Sequence, residues 1–264
     1  MSEIRLVEVA MRYTTRQGQV QALERISVTV PDGQFACIVG PSGCGKSTLL
    51  MVAAGLVEPT EGEVLVDGSP TSQPGADRGM VFQSYSLYPW LSVRRNIEFG
   101  LEMKKTPKAD RERRSNELIR LMKLDGFADA YPKALSGGMK QRAAIARALA
   151  NDPQVLLMDE PFGALDAQTR QIMQEMLTDI WQRYRKTVLF VTHDIEEAIF
   201  LGDVIYVMTN RPGRIRTTLQ VDLPRPRTFE MVSSPQFAGL RNQVVGIIHE
   251  ESLKAVESEL ARPA

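Results

Sequence analysis

Three groups of residues in this 264-residue chain have the types and spacing for phosphate chemistry. The first, Gly40-Pro41-Ser42-Gly43-Cys44-Gly45-Lys46-Ser47, matches the pattern G-x-x-x-x-G-K-[ST] at every fixed position. Gly40, Gly43 and Gly45 allow backbone N–H groups to converge on phosphate oxygens, and the helix that follows adds its positive N-terminal end. Lys46 suits the β- and γ-phosphates of a nucleoside triphosphate, the Ser47 hydroxyl suits Mg²⁺, and Thr48 can reach the α-phosphate. The second group is Asp159-Glu160, two carboxylates closing the apolar run Val155-Leu156-Leu157-Met158. Beside a phosphate loop, the former suits a magnesium ion and the latter suits proton acceptance from an attacking water. The third is Leu135-Ser136-Gly137-Gly138-Met139-Lys140-Gln141-Arg142, where a serine and two glycines open an amphipathic helix and make a second anion site.

A phosphate loop needs a strand before it and a helix after it. Phe35-Ala36-Cys37-Ile38-Val39 runs into the glycines, and Leu49, Leu50, Val52 and Ala53 continue a helix that starts at Lys46. Val155–Met158, Val188–Val191 and Val204–Met208 are apolar throughout, as buried parallel strands are. Ile172, Met176, Ile180 and Tyr184, widened by Met173, Leu177 and Trp181, predict a helix over about 167–185 whose whole apolar stripe packs in the core. Strands alternating with helices imply a parallel sheet covered on both faces. Ile4–Val9 and Arg25–Val30 alternate apolar and polar residues, which predicts half-buried antiparallel strands, and Glu63–Val66 runs into the turn Asp67-Gly68. Residues from about 93 to 150 have helical spacing, punctuated by Pro107 and Pro132. The expected fold is α/β: a phosphate-loop core with a mixed sheet, an antiparallel β subdomain at the N-terminus, and an inserted α-helical subdomain over about 86–150.

Composition excludes several function classes. With 43% hydrophobic residues the chain can bury a large core, while 32 basic and 32 acidic residues cancel. No overall field therefore favours nucleic acid or an anionic membrane as partner. The cluster Lys104, Lys105, Lys108, Arg111, Arg113 and Arg114 is interleaved with acids and reads as a solvated helix face. Two cysteines, Cys37 and Cys44, make no disulfide framework, which suits a cytosolic chain. The opening Met-Ser-Glu-Ile-Arg-Leu lacks the apolar stretch of a signal peptide. No apolar run reaches the roughly 18–20 residues of a membrane span, so any membrane-spanning part belongs to another chain.

From about residue 4 to residue 220 the chain resembles the ATPase subunits of ABC transporters, with each expected motif in order. The resemblance implies a domain over 1–220 and a short helical extension over 221–264, with a helix from Pro235 to about Glu257. It implies ATP and Mg²⁺ as ligands, and hydrolysis with Glu160 as base. It places Tyr13 on the adenine, with a strand-end tyrosine lacking that role as the rival reading. Gln83, after Met80-Val81-Phe82, matches the glutamine that contacts the metal and links the core to the helical subdomain. His193 matches the switch histidine near the γ-phosphate. Ser136, Gly137, Gly138 and Asp166 match residues that serve ATP held by a second copy in a head-to-tail dimer. Gly163 stands where many members have serine, which removes one hydroxyl contact.

Ser86-Leu87-Tyr88-Pro89-Trp90-Leu91-Ser92-Val93, Phe162–Asp166 and Arg211-Pro212-Gly213-Arg214-Ile215 resemble the importer branch for nitrate, sulfonate and taurine. This implies integral membrane permease subunits as partners, indirectly a solute-binding protein, and a place on the cytoplasmic face of the inner membrane. Tyr85, Leu87, Tyr88, Trp90 and Leu91 then line a groove for the permease, or pack the helical subdomain, or both. A soluble ATPase that remodels a cytosolic complex and an exporter subunit are the alternative readings.

Overall fold

The computed structural model describes residues 3–16 and 18–260; Met1, Ser2 and the last four residues of the expected extension lie outside them. The chain opens with the long strands β1 (Ile4–Thr15) and β2 (Gly18–Val30), then β3 (Phe35–Val39) and α1 (Lys46–Ala53). There follow β4 (Glu61–Val66), the two-residue β5 (Ser69–Pro70) and β6 (Arg78–Val81). Three helices come next: α2 (Val93–Met103), α3 (Lys108–Leu121) and α4 (Gly137–Ala150). The second half alternates β7 (Val155–Asp159), α5 (Ala167–Tyr184), β8 (Thr187–Val191), α6 (Ile195–Leu201) and β9 (Val204–Met208). It closes with β10 (Ile215–Gln220) and α7 (Pro235–Leu260).

Two sheets organise the molecule. One has the order β2-β1-β4-β5 and is antiparallel throughout; the other has the order β10-β9-β3-β8-β7-β6. In the second, β9, β3, β8, β7 and β6 run parallel and β10 is an antiparallel edge. The period of two divides the strand side chains between two cores. Phe35, Cys37 and Val39 face a cluster that takes in α2 to α6, whereas Ala36 and Ile38 face α1 and the N-terminal sheet. Both faces of the parallel sheet are thus covered, which explains the uninterrupted apolar runs in β3, β7, β8 and β9.

The helices α2 to α4 stand between β6 and β7, where the insertion is expected. Val93, Ile97, Leu118 and Leu149 share one cluster with Phe35 and Phe190, so these helices are packed continuously with the sheet. The segment beyond residue 220 joins the same cluster through Val221, Leu223, Phe237 and Val244. No helix among the described residues is long and apolar enough to cross a membrane.

Two details depart from the sequence reading. On α5 the buried face is Met173, Leu177, Ile180 and Trp181, while Ile172 is 52% exposed and Met176 and Tyr184 sit at its margin. The apolar stripe is wider than the surface the core offers it, so its outer edge stays in water. In the basic cluster, Arg111 and Arg114 are not simply solvated. Arg111 pairs with Glu102, and Arg114 pairs with Glu117 and donates to the Leu149 carbonyl, with both side chains largely covered. Their long stems let the charge reach acids at the edge of the helical layer.

Candidate active site

The phosphate loop hangs from the carboxyl end of β3, whose five residues are all buried. Gly45 caps α1 with φ of 106°, a left-handed conformation open to glycine. A Cβ there would stand 2.6 Å from Leu23 Cδ2 and 3.1 Å from the Ala22 carbonyl, so β2 crosses directly against the loop. Lys46 is buried, and its ammonium donates to the carbonyls of Gly40 and Pro41 at 2.8 and 2.9 Å. Cys44 packs behind the loop, and burial pushes its thiol up, so it acts as an apolar filler.

A cavity of about 540 Å³ opens over the loop. Ser42, Gly43 and the stretch from Gly45 to Thr48 form its base. Tyr13 and Val20 stand on one wall as direct cross-strand partners in β1 and β2, offering a flat apolar pair suited to a ring. Glu160 and Arg211 add charged groups to its lining. Arg211 donates through Nη2 and Nε to the Gly43 carbonyl at 3.1 and 3.3 Å, from 168 residues away. Sequence reasoning used Arg211 only as a mark of the importer branch and missed its place at the loop. No local pattern marks it: the residue follows β9, and only the fold lays β9 beside the loop's own strand β3.

Strand order assembles the rest. Gln83 follows β6, Asp159 ends β7 and His193 follows β8, and these three strands are neighbours in the order β8-β7-β6. Glu160, next to Asp159, therefore stands between the other two. Its Oε2 lies 3.2 Å from Gln83 Nε2 and 3.0 Å from His193 Nδ1. Glu160 has φ of 41°, a left-handed backbone that costs a residue with a side chain of the order of 1 kcal/mol. Its N–H donates to the Val191 carbonyl at 2.9 Å, which pins the bend. The Ser47 hydroxyl donates to Asp159 Oδ1 at 3.0 Å. Burial pushes the Asp159 carboxyl up; the Ser47 bond opposes this and the charge of Glu160 adds to it. A desolvated carboxylate beside a hydroxyl, with an amide side chain near, is an all-oxygen donor set. That fits a magnesium ion, which takes one or two protein oxygens and completes its shell with phosphate and water.

The remaining expected residues lie elsewhere. Ser136 Oγ accepts from Met139 N–H at 3.3 Å and caps α4. Asp166 Oδ1 accepts from Thr169 N–H at 3.0 Å and caps α5, and this bond holds its carboxyl below the usual range. The two helix starts touch, since a Cβ on Gly138 would stand 2.8 Å from Thr169 Cγ2. None of Ser136, Gly137, Gly138 and Asp166 lines the cavity over the phosphate loop. The residues of the second glycine motif and Asp166 thus stand apart from the phosphate-loop cavity.

The aromatic segment after Gln83 is packed in part against the helical layer. Leu87 packs against the core, and the buried Asn96 bonds both the N–H and the carbonyl of Tyr88. Tyr88 also stacks between Phe99 and Trp90, at 4.5 and 5.6 Å between ring centroids, and Arg147 of α4 lies over its ring. Tyr88, Phe99 and Arg147 line a cleft of about 300 Å³, whereas Tyr85, Leu87, Trp90 and Leu91 do not, and Trp90 is 69% exposed.

The ABC transporter family model matches residues 23–163. An ATP-binding protein of Brucella abortus is 51% identical over 243 residues, which is 92% of each chain. The nitrate import ATP-binding protein of Synechocystis is 46% identical over 93% of this chain and 95% of its own. The taurine import ATP-binding protein of Rhizobium johnstonii is 49% identical over 90% and 93%. Among solved structures, a dimeric ATP-binding cassette in a post-hydrolysis state with ADP and phosphate superposes with a TM-score of 0.75. That match has 34% identity and covers 84% of this chain and all of the other.

Proposed function

The chain belongs to the ABC transporter family, and we propose that it is the ATP-hydrolysing subunit of an importer for small solutes of the nitrate, taurine and sulfonate kind. The observation that carries the chemistry is the Glu160 carboxylate, at the rim of the phosphate-loop cavity and bonded to Gln83 and His193 from either side. ATP lies with its phosphates along Gly40–Thr48 and its base against Tyr13. Lys46, which already crosses the loop, meets the β- and γ-phosphates. A water oxygen attacks the γ-phosphorus while its proton passes to Glu160. The bond to the bridging oxygen breaks, and ADP leaves with that electron pair. Gln83 and His193 keep the carboxylate aimed at one point, which is where positioning contributes to rate. A magnesium ion held by Ser47, Asp159 and Gln83 would neutralise phosphate charge.

In this reading Ser136, Gly137, Gly138 and Asp166 complete the site of a second copy, head to tail. The dimeric cassettes that the chain resembles support that assembly. The surface at Tyr88 and Trp90 receives a permease subunit at the cytoplasmic face of the inner membrane, and a solute-binding protein acts through that permease. The test is uptake by cells lacking this chain. Loss of nitrate, taurine or alkanesulfonate uptake, restored by the wild-type chain and not by Glu160→Gln, supports the assignment; intact uptake of all three overturns the solute class.

A further inference from the structure

We propose that Arg170 is a positioning residue that locks the loop 163–166 to the loop 192–194, so that Asp166 and His193 are held as one body. The inference rests on the hydrolase reading above and adds a residue to it. Arg170 sits in the first turn of α5, where its N–H donates to the Asp166 carbonyl at 2.9 Å. Its guanidinium divides its two ends. Nη2 donates to the Leu165 carbonyl at 3.1 Å, and Nη1 donates to Asp194 Oδ2 at 3.1 Å. The fork therefore grips the loop ahead of its own helix with one hand and the residue after His193 with the other.

Asp194 is divided in the same way. Oδ1 accepts from Glu197 N–H at 3.1 Å and caps α6, leaving Oδ2 for Arg170. The Asp194 N–H donates to Thr192 Oγ1 at 3.0 Å, and the Thr192 N–H donates to the Ile38 carbonyl on the phosphate-loop strand. Below this pair, the buried Gln174 of α5 donates to the buried Glu197 of α6 at 2.9 Å. Two helices that start beside the two loops are thus joined at two levels, and the upper joint reaches backbone and charge together. Lysine cannot reproduce it, since one ammonium lacks the planar fork with two directed N–H groups.

The strut gives the loops a shared reference. His193 bonds Glu160 within its own chain, whereas Asp166 is exposed at a helix start and does not line the cavity. Holding the two together ties the base's partner to the surface offered to a second copy, so closure against that copy and alignment of Glu160 become one event. Arg170 does not line the cavity over the phosphate loop, and its effect passes through the loops.

The experiment uses the full chain with Arg170→Ala, Arg170→Lys, Asp194→Asn and the double variant Arg170→Ala/Asp194→Asn. Asparagine keeps the cap on α6, which separates loss of the strut from loss of the helix start. The chain has two histidines, so with a His249→Gln control the ring proton resonances of His193 can be assigned directly. Arg170→Ala and Asp194→Asn are expected to shift or broaden the His193 signal and leave that of His249 in place. In ATP hydrolysis they are expected to lower kcat about tenfold with KM within twofold, and the double variant is expected to be no worse than the single ones. Arg170→Lys should recover only part of the loss. An unmoved His193 signal in Arg170→Ala, or single losses that multiply in the double variant, overturns the strut. Absence of ATP turnover by the wild-type chain overturns the hydrolase reading instead, because the resonance of His193 reports on the strut without any turnover.

Discussion

In the proposed function, the face around the phosphate loop and the face formed by the starts of α4 and α5 both receive phosphate at a helix start, yet they are built differently. At the first, side chains cross between elements: Ser47 to Asp159, Glu160 to Gln83 and His193, Arg211 to Gly43. At the second, Ser136 and Asp166 spend their oxygens on the N–H groups of their own helices. A site for chemistry needs groups fixed against one another, and the carboxyl ends of adjacent parallel strands supply that. A site that only grips an incoming phosphate needs preformed N–H donors, and a capped helix start supplies those alone. The difference suits a protein whose chemistry is complete on one surface and whose closure depends on another.

The largest way to break the comparison is Glu160→Gln. The amide keeps the size and hydrogen-bonding reach of the side chain but cannot accept the proton. Turnover should fall by about 10² to 10⁴, the usual contribution of a general base, while ATP affinity measured by titration stays within a fewfold. Hydrolysis at the wild-type rate would falsify the assignment of Glu160 as base. The corresponding change on the other face is Ser136→Ala, which removes a cap on α4 worth about 1 kcal/mol. Its own phosphate loop is untouched, so ATP binding to the monomer should stay constant. ATP-dependent dimer formation, followed by sedimentation, should weaken about tenfold. If monomer affinity falls instead, the two faces are not separate.

These two faces also differ in how far they could be read from sequence. The phosphate loop, Asp159-Glu160 and the Ser136 glycines are local patterns, each with a neighbouring strand or helix to confirm it. That β3, β7 and β8 lie in a parallel sheet follows from their uninterrupted apolar runs, because a doubly covered sheet favours apolar residues on both faces. Arg211 was not legible as a site residue, since its bond to Gly43 depends on β9 lying beside β3. Arg170 was equally silent, because a charged residue in the first turn of a helix has no local sign of a partner in the next connection. The exposure of Ile172 and the pairing of Arg111 and Arg114 show the same limit: periodicity tells which side is apolar, and packing decides how much of that side is covered.

Trp90 sharpens the comparison by adding a third surface with neither chemistry nor phosphate. Because its ring is mostly in water, Trp90→Ala should change stability by no more than about 0.5 kcal/mol. It should leave ATP hydrolysis by the isolated chain unchanged and reduce co-purification with the permease severalfold from detergent-solubilised membranes. Retention of the permease would assign Trp90 to the helical subdomain alone.

The smallest expected effect is one of stability, and its sign distinguishes the chemical face from the gripping face. Burial raises the Asp159 carboxyl in the folded chain above its unfolded value. The folded state then holds the proton more tightly than the unfolded state, so this group favours folding below the unfolded pKa and that advantage is lost as pH rises through the folded pKa. At neutral pH the ionised, desolvated Asp159 is a cost that the nucleotide-free protein bears. Asp159→Asn should therefore raise Tm at pH 7 by roughly 1–3 °C, the scale of a small stabilisation in a chain of this length. The gain should fade as the buffer is acidified and the wild-type carboxyl protonates. Asp166 runs the other way, because its cap lowers the carboxyl in the fold. Asp166→Ala should lower Tm at pH 7, and the deficit should shrink on acidification below the usual carboxylate range. A pair of melting curves at pH 7 and pH 4 for each variant reads both signs. Two shifts of the same sign at pH 7 would mean that the two carboxylates are held alike, and that the distinction between a strained chemical face and a relaxed gripping face does not extend to their electrostatics.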